Sequence, residues 1–186
     1  MTFRKPRSRW TGAVIAACAL GAMTVGATPA SAAMSDDYVR GYDTYVGDWG
    51  DEGPMAFGFQ EHNDSNAVCL WQKILWAEGA KETDLTTFDH SDVDGHFGPN
   101  TDAATRSLQA RWGLTIDGEV GGGTFGRADN NLRYVTGSTG RGQLLYLTYH
   151  GKDHDFAIRR DDQGIYEFPD RNGTRRNAGY DYNTCD

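Results

Sequence analysis

The sequence predicts a mainly α-helical protein with a β appendage: a small three-helix bundle with two quasi-repeats, followed by a short antiparallel β segment. Three observations predict this class. A nine-residue motif occurs twice, 23 residues apart. Apolar residues recur at helical spacing around both copies. After residue 132 the pattern changes to short runs with the two-residue period of strands.

The repeated motif reads VDGHFGPNT over residues 93–101 and IDGEVGGGT over residues 116–124. In each copy the Asp side chain can accept backbone N–H bonds within a turn, and the following Gly can adopt a positive φ. A second Gly and a Thr suited to cap a helix follow. Each copy therefore predicts a tight turn and a helix start. The predicted structural turn residues are Gly95, Gly98, Asp117, Gly118, Gly121 and Thr124.

Three helices are predicted around these turns because apolar residues follow three- and four-residue spacings. Trp71 lies on the apolar stripe of the first helix, so we expect it in the core rather than on a binding surface. The helix ends are marked by Ser65 or Asn66 and Gly79, by Thr101 and Gly113, and by Thr124 and Leu132.

The C-terminal region predicts short strands at residues 143–149, 156–160 and 165–168, with a further edge strand at Tyr180 and Tyr182. About 50 residues of strands form a marginal sheet alone. We therefore expect this region to pack on the helical part.

The N-terminus has the pattern of a secretory signal peptide. Basic residues precede the apolar stretch 13–25, and Ala30-Ser31-Ala32 is an A-x-A cleavage site. A lipoprotein-type cleavage at Cys18 is the alternative, and it would leave further apolar sequence after the cysteine. We therefore predict four segments: a signal peptide (1–32), an acidic aromatic arm (33–62), a helical domain (63–132) and a β-rich appendage (133–186).

Charge and cysteine content narrow the function class. The chain has a net charge of −8, and cleavage after Ala32 would remove four basic and no acidic residues, leaving −12. Such acidity argues against nucleic acid and anionic lipid as partners. Cys69 and Cys185 would remain as an even pair, so we expect a disulfide in an oxidising compartment, with two buried free thiols as the alternative.

The ordered motifs of residues 63–132 resemble the peptidoglycan-binding domain type 1 family. The resemblance implies a three-helix bundle with two quasi-repeated halves, cell-wall peptidoglycan as the ligand, and an extracellular or wall-associated bacterial protein. Three departures stand out: Gly122 replaces the usual Pro, the loop 80–92 is longer than usual, and Trp71 replaces a commoner Leu. The residues that carry the likeness are Val68, Trp71, Gln72, Leu75 and Gly79, then Asp94 to Thr101, then Leu108, Gln109, Gly113 and Leu114, then Asp117 to Phe125.

The family positions imply that Gln72, Asp94, Asn100 and Thr101 contact peptidoglycan. Turn and helix-cap chemistry is the alternative role for each of them. For Asp94 and for Asp117 in the second copy, we expect the structural role to dominate.

The first turn has a partial resemblance to a calcium site, because Asp92-x-Asp94-Gly95 imitates the middle of an EF-hand loop. That loop needs an Asp at its first position and a bidentate Glu at its last. His90 and Thr101 occupy those positions, so the ligand set fails. The sequence predicts no metal and no cofactor.

No catalytic residue is predicted either, since the motifs G-x-S-x-G, C-x-x-C and H-E-x-x-H do not occur. On a helix, His150 and His154 would share a face as zinc ligands do, but Gly151 and the preceding strand favour a hairpin tip. The predicted function is thus a secreted, non-catalytic peptidoglycan-binding protein without membrane contact after signal cleavage. Two alternatives stay open: a small cell-wall hydrolase using that histidine pair, and a module that binds or inhibits another secreted protein through the acidic arm.

Overall fold

The computed structural model describes residues 1–2 and 37–185. The predicted signal peptide and the start of the predicted arm lie outside the described residues, apart from residues 1–2. The described chain folds into three α-helices followed by five β-strands. These are α1 Asn66–Glu78, α2 Pro99–Trp112, α3 Gly122–Asp129, β1 Leu132–Gly137, β2 Leu145–His150, β3 Asp155–Arg160, β4 Tyr166–Pro169 and β5 Arg175–Asn177.

The predicted fold class, mainly α with a short β appendage, is wrong. The five strands form one antiparallel sheet in the order β1-β2-β3-β4-β5, and helix and strand contribute comparably to the fold. Three strands were predicted near their observed positions, but β1 and β5 were missed. The bulge between Tyr134 and Thr136 interrupts the alternation in β1, and β5, RRN, is short and polar. Leu132 begins β1 instead of ending a helix, and Tyr180 and Tyr182 lie outside the strands.

The helix α1 lies at the centre of the molecule, since 12 of its 13 residues are buried. Its N-cap is Ser65, whose hydroxyl accepts from Val68 N at 3.2 Å, and it ends at Gly79 in the left-handed conformation. An amphipathic helix would need cover on one face only. Because α1 is buried all round, the sheet has to cover the side that α2 and α3 leave open.

The helical side of this core is aromatic. Trp71 is fully buried, as predicted, and its ring makes edge contacts with Phe125 on α3 and Trp112 on α2, with centroids 5.6 and 6.4 Å apart. Its indole N–H donates to Thr105 Oγ1 at 2.8 Å. The indole thus fills the bundle without leaving its polar atom unpaired.

The sheet packs on α1 through side chains that alternate along each strand. On β2, Leu147 and Tyr149 are buried while Tyr146 and His150 are exposed. The Tyr149 hydroxyl donates to Glu78 Oε1 at the end of α1, at 3.0 Å. The β2–β3 turn also contacts that end, because the backbone N–H groups of residues 153 and 154 donate to the carbonyl of residue 77 at 2.9 and 3.0 Å. The sheet is therefore hydrogen-bonded to the open carbonyls of the central helix.

The described part of the predicted arm, residues 37–62, is built into the core. Isolated bridges pair Tyr38 with Gly179 and Arg40 with Ile165. Trp49 is fully buried, with its ring edge-on to those of Phe125 and Tyr166 at centroid distances of 5.8 and 5.2 Å. This one side chain therefore connects α3 to the sheet.

A buried ionic cluster holds the same segment. Asp48 Oδ2 accepts from Arg160 Nη1 and from the Tyr166 hydroxyl, both at 2.6 Å. Burial raises the pKa of Asp48 to about 6, although both partners favour its charged form. Removing one member of such a buried pair leaves an uncompensated charge in the core.

The C-terminal segment is fastened to the start of α1. Cys69 and Cys185 form a disulfide, as the sequence predicted, across a separation of 116 residues. The first two free N–H groups of the helix, on Asn66 and Ala67, donate to the carbonyls of Tyr182 and Gly179 at 2.8 Å each. The first N–H groups of a helix have no carbonyl acceptor within the helix, and here the C-terminal end of the chain supplies the acceptors.

Candidate functional site

The first turn, residues 93–101, is organised around Asp94 and Gly95. The Oδ1 atom of Asp94 accepts from His96 N at 2.8 Å, which closes an Asx-type turn. Gly95 has a φ of +80°, a conformation that side chains with a Cβ adopt at a cost. The helix α2 then begins at Pro99 with Gly98 as its N-cap, so Thr101 lies inside the first helical turn instead of capping it.

The side-chain amide of Gln72 on α1 lies beneath this turn and holds it together. Its Oε1 atom accepts from Asp94 N at 3.0 Å and Gly95 N at 2.7 Å. Its Nε2 atom donates to Asp94 Oδ1 and His96 O at 2.9 Å and to Thr101 Oγ1 at 3.1 Å. With only 1% of its surface exposed, Gln72 acts on the turn from within the protein.

The second turn, residues 116–124, repeats this arrangement around Gln109 on α2. The Gln109 Oε1 atom accepts from Gly118 N at 2.9 Å. Its Nε2 atom donates to Asp117 Oδ1 at 2.8 Å, to Glu119 O at 2.9 Å and to Thr124 Oγ1 at 3.2 Å. The two halves thus share a Gln–Asp–Thr hydrogen-bond set as well as a sequence motif.

Sequence reasoning placed Gln109 in the family pattern but missed its role as the counterpart of Gln72. The two distances along the chain conceal the equivalence: Gln72 precedes Asp94 by 22 residues, whereas Gln109 precedes Asp117 by eight. The loop 80–92 accounts for much of that difference. Each Gln lies on a helix with an apolar stripe, and a D-G turn follows each helix. This shared order in the sequence could have identified the two glutamines as counterparts.

A groove with a volume of about 310 Å³ opens over the first turn, and we name it the first-turn groove. All four predicted ligand contacts line it. Gln72 and Thr101 form its buried floor, with 1% and 3% of their surfaces exposed, while Asp94 is partly exposed and Asn100 is exposed. The complete lining is Gln72, Phe88, Asp92, Asp94, His96, Gly98, Pro99, Asn100 and Thr101.

The second turn carries an equivalent groove of about 320 Å³, the second-turn groove. Glycines 122 and 123 stand where the first-turn groove has Pro99 and Asn100, so this groove offers fewer side chains. Gly122 is required there by the N-terminal segment: a Cβ on it would lie 2.1 Å from the carbonyl oxygen of Gly50. The departure from the family's usual Pro therefore makes room for the arm.

The long loop 80–92 supplies one wall of the first-turn groove through Phe88 and Asp92. Behind that wall, Glu82 is 9% exposed. Its burial, followed by a hydrogen bond and charge repulsion from Asp92, raises the pKa of Glu82 to about 7. The loop thus places one carboxyl group with a raised pKa, that of Glu82, behind the wall of the groove.

His150 and His154, the histidine pair of the alternative hydrolase, have separate partners. His150 ends β2 and lies 3.3 Å from Asp155 Oδ2, while the His154 ring stacks on Trp76 with centroids 4.3 Å apart and planes 5° apart. Trp76 also carries Lys73 Nζ over its ring at 4.7 Å, and burial lowers the pKa of that lysine to about 8. Within residues 1–2 and 37–185, no group of three or more His, Cys, Asp and Glu side chains could hold a metal ion.

Among the residues whose structure is described, none of the helices has the length and apolar character to cross a bilayer.

Comparison with known proteins bears on the helical part. The family model described as "Putative peptidoglycan binding domain" matches residues 64–127, about a third of the chain. Curated proteins and solved structures each gave no match. The matched segment begins just before α1, includes both turns and ends within α3. The resemblance read from the sequence is thereby confirmed for residues 64–127.

Proposed function

We propose that this protein is a secreted, non-catalytic peptidoglycan-binding protein whose ligand occupies the first-turn groove. The family match at residues 64–127 supports peptidoglycan binding and cell-wall association in general. The observation that carries the finer proposal is that Gln72, Asp94, Asn100 and Thr101, picked by family position, line one groove.

The four residues divide into two roles in this proposal. Gln72 and Thr101 are positioning residues, because they are buried and hydrogen-bonded to the turn. Asp94 and Asn100 contact the ligand. The Oδ1 atom of Asp94 is held by the turn, so we assign its Oδ2 atom to a sugar hydroxyl or peptide N–H. The Asn100 amide, which both donates and accepts, suits the amides and hydroxyls of a glycan strand with stem peptides.

The non-catalytic part of the proposal rests on the chain's chemistry. The disulfide uses both cysteines of the predicted mature chain, and the sequence carries none of the hydrolase motifs considered above. A small hydrolase based on His150 and His154 stays the alternative. It predicts release of soluble muropeptides from purified walls, and loss of that release in the double variant His150→Ala, His154→Ala.

A protein-binding module is the second alternative. Trp49 is in the core, so deleting the whole arm would unfold the protein rather than test a contact. The exposed rings of Phe57 and Phe59 are the part of the arm that could meet a partner, with 55% and 41% of their surfaces accessible.

The decisive experiment is co-sedimentation of the mature protein with purified peptidoglycan sacculi, with the supernatant analysed for muropeptides. We expect binding without digestion, and a lower bound fraction for Asn100→Ala. The matched control is Gly123→Ala, at the equivalent position of the second turn, where a Cβ meets open space. Equal binding by both variants would show that the ligand does not occupy the first-turn groove. Muropeptide release would refute the non-catalytic proposal.

A further inference from the structure

The face of the sheet that points away from α1 carries a groove of its own. We name it the outer groove; its volume is about 320 Å³. The strand register builds it, because Tyr146 pairs with Arg159 across β2 and β3, and Pro169 pairs with Arg175 across β4 and β5. Residues paired in this way project from the same face of a sheet. The apolar residues of its lining are Val135, Tyr146, Leu147, Ala157, Ile158 and Pro169, of which Leu147 and Ile158 are buried.

The apolar part of the outer groove is open to solvent. Val135 and Tyr146, which both line the groove, have 56% and 37% of their surfaces exposed. The strand β1 is the edge of the sheet, and five of its six residues are exposed. Contiguous exposed apolar residues on a soluble protein are a feature of binding surfaces.

The polar part of the outer groove has an excess of positive charge. Glu167, which is 9% exposed, forms an ion pair with Arg159 and lies 3.7 Å from Arg175 Nη1. Two guanidinium groups therefore share one carboxylate, in a chain whose net charge is −8. A ligand carboxylate placed beside them would restore neutrality and could be held by paired N–H donors, as Arg–carboxylate contacts often are.

We propose that the outer groove binds a short peptide with small apolar side chains and a free terminal carboxylate, which describes the alanine-rich stem peptide of peptidoglycan. The carboxylate lies at Arg159 and Arg175, and the methyl side chains lie against Val135, Tyr146 and Ala157. The identity of the peptide rests on the proposed function, since peptidoglycan supplies it. The groove's volume is at the lower end of ligand sites, which fits two or three small residues rather than a folded partner.

A second copy of the chain is a poorer occupant of this face. Two outer grooves packed against each other would bring two pairs of arginines together with only one carboxylate from each copy. Like charges set opposite one another in an interface oppose association. The excess positive charge therefore favours an anionic ligand over self-association.

The test is calorimetric titration of the mature protein with a synthetic peptide that ends in D-alanyl-D-alanine, as the free acid and as the C-terminal amide. We expect the free acid to bind at least about tenfold more tightly than the amide, because only the acid presents a carboxylate to the arginines. Arg175→Gln should lower the affinity for the free-acid peptide by a similar factor. Lys152→Gln, an equal change of charge on an exposed side chain outside the groove, should not.

The side chain of Arg175 is 52% exposed, so its replacement should leave the fold intact, and an unchanged melting temperature is the check. Equal affinities for acid and amide, or full binding by Arg175→Gln, would overturn the inference. Sacculus binding that depends on Asn100 while the peptide fails to bind would refute the outer groove alone. Peptide binding without sacculus binding would refute the proposed function and leave the outer groove as a peptide site.

Discussion

Gln72 donates a hydrogen bond of 2.9 Å to the carboxylate of Asp94, and the same amide accepts from the backbone of that turn. The bond joins the central helix to a turn 22 residues later. Gln109 makes the same contact with Asp117, so one buried glutamine holds the turn in each half of the helical region.

Replacing either glutamine with leucine should destabilise the protein by about 1–3 kcal/mol, because the turn's buried N–H groups would lose their acceptor. Urea unfolding of Gln72→Leu and Gln109→Leu measures the change. Gln143→Leu is the control, since Gln143 is exposed and should stay within about 0.5 kcal/mol of the wild type. Wild-type stability in both buried variants would show that the glutamines do not hold the turns.

Gly95→Ala should lower stability by about 1–3 kcal/mol, because φ at this position is +80° and an added Cβ would meet the Asn183 side chain at 2.5 Å. Gly98→Ala in the same turn is the matched comparison. There φ is −89° and nothing lies within 4 Å of an added Cβ. Differential scanning calorimetry should show a lower melting temperature for the first variant only. Similar melting temperatures would contradict the described turn.

Cys185→Ser should destabilise the protein by up to about 4–5 kcal/mol, since the disulfide with Cys69 closes a long loop in the unfolded chain. Peptide mapping without reductant should recover a single cross-link between these two residues. Two free thiols in protein exported and purified without reductant would contradict the pairing. The C-terminal segment would then be held on α1 by hydrogen bonds, among them those from the backbone N–H groups of Asn66 and Ala67.

Glu82 should make the protein less stable as pH rises from about 4.5 to about 7. In this window the folded protein keeps a proton on Glu82, whose folded pKa is about 7, while the unfolded chain has released it at its ordinary 4.5. The folded state then binds more protons, so the free energy of unfolding falls with rising pH.

Glu82→Gln should remove this part of the pH dependence and stabilise the protein at pH 7 by about 1–3 kcal/mol. Urea unfolding at several pH values from 4 to 8 measures the slope, and Glu61→Gln, at an exposed position, is the control. A slope that persists in Glu82→Gln would assign the pH dependence to other groups, such as the buried Asp48.

The sequence by itself determined the features that depend on neighbouring residues. The two turns, the end of α1 at Gly79 and the end of α2 at Gly113 follow from Asp side chains that bond the nearby backbone and from glycines at positive φ. These choices are made within a few residues, so a local pattern predicts them. The pairing of the two cysteines was also readable, because only one pair is left after the predicted cleavage.

Only the tertiary structure decided what covers each element. The helix α1 has one recognisable apolar stripe, yet its polar residues Lys73 and Glu78 are also buried, because a sheet and a C-terminal segment pack on its other sides. Trp49 belongs to an acidic stretch without a helical or strand period, and partners more than 70 residues away bury it. Burial is set by contacts between distant segments, whereas a turn is set by its own residues, and this is why the local patterns predicted the turns but underestimated the sheet.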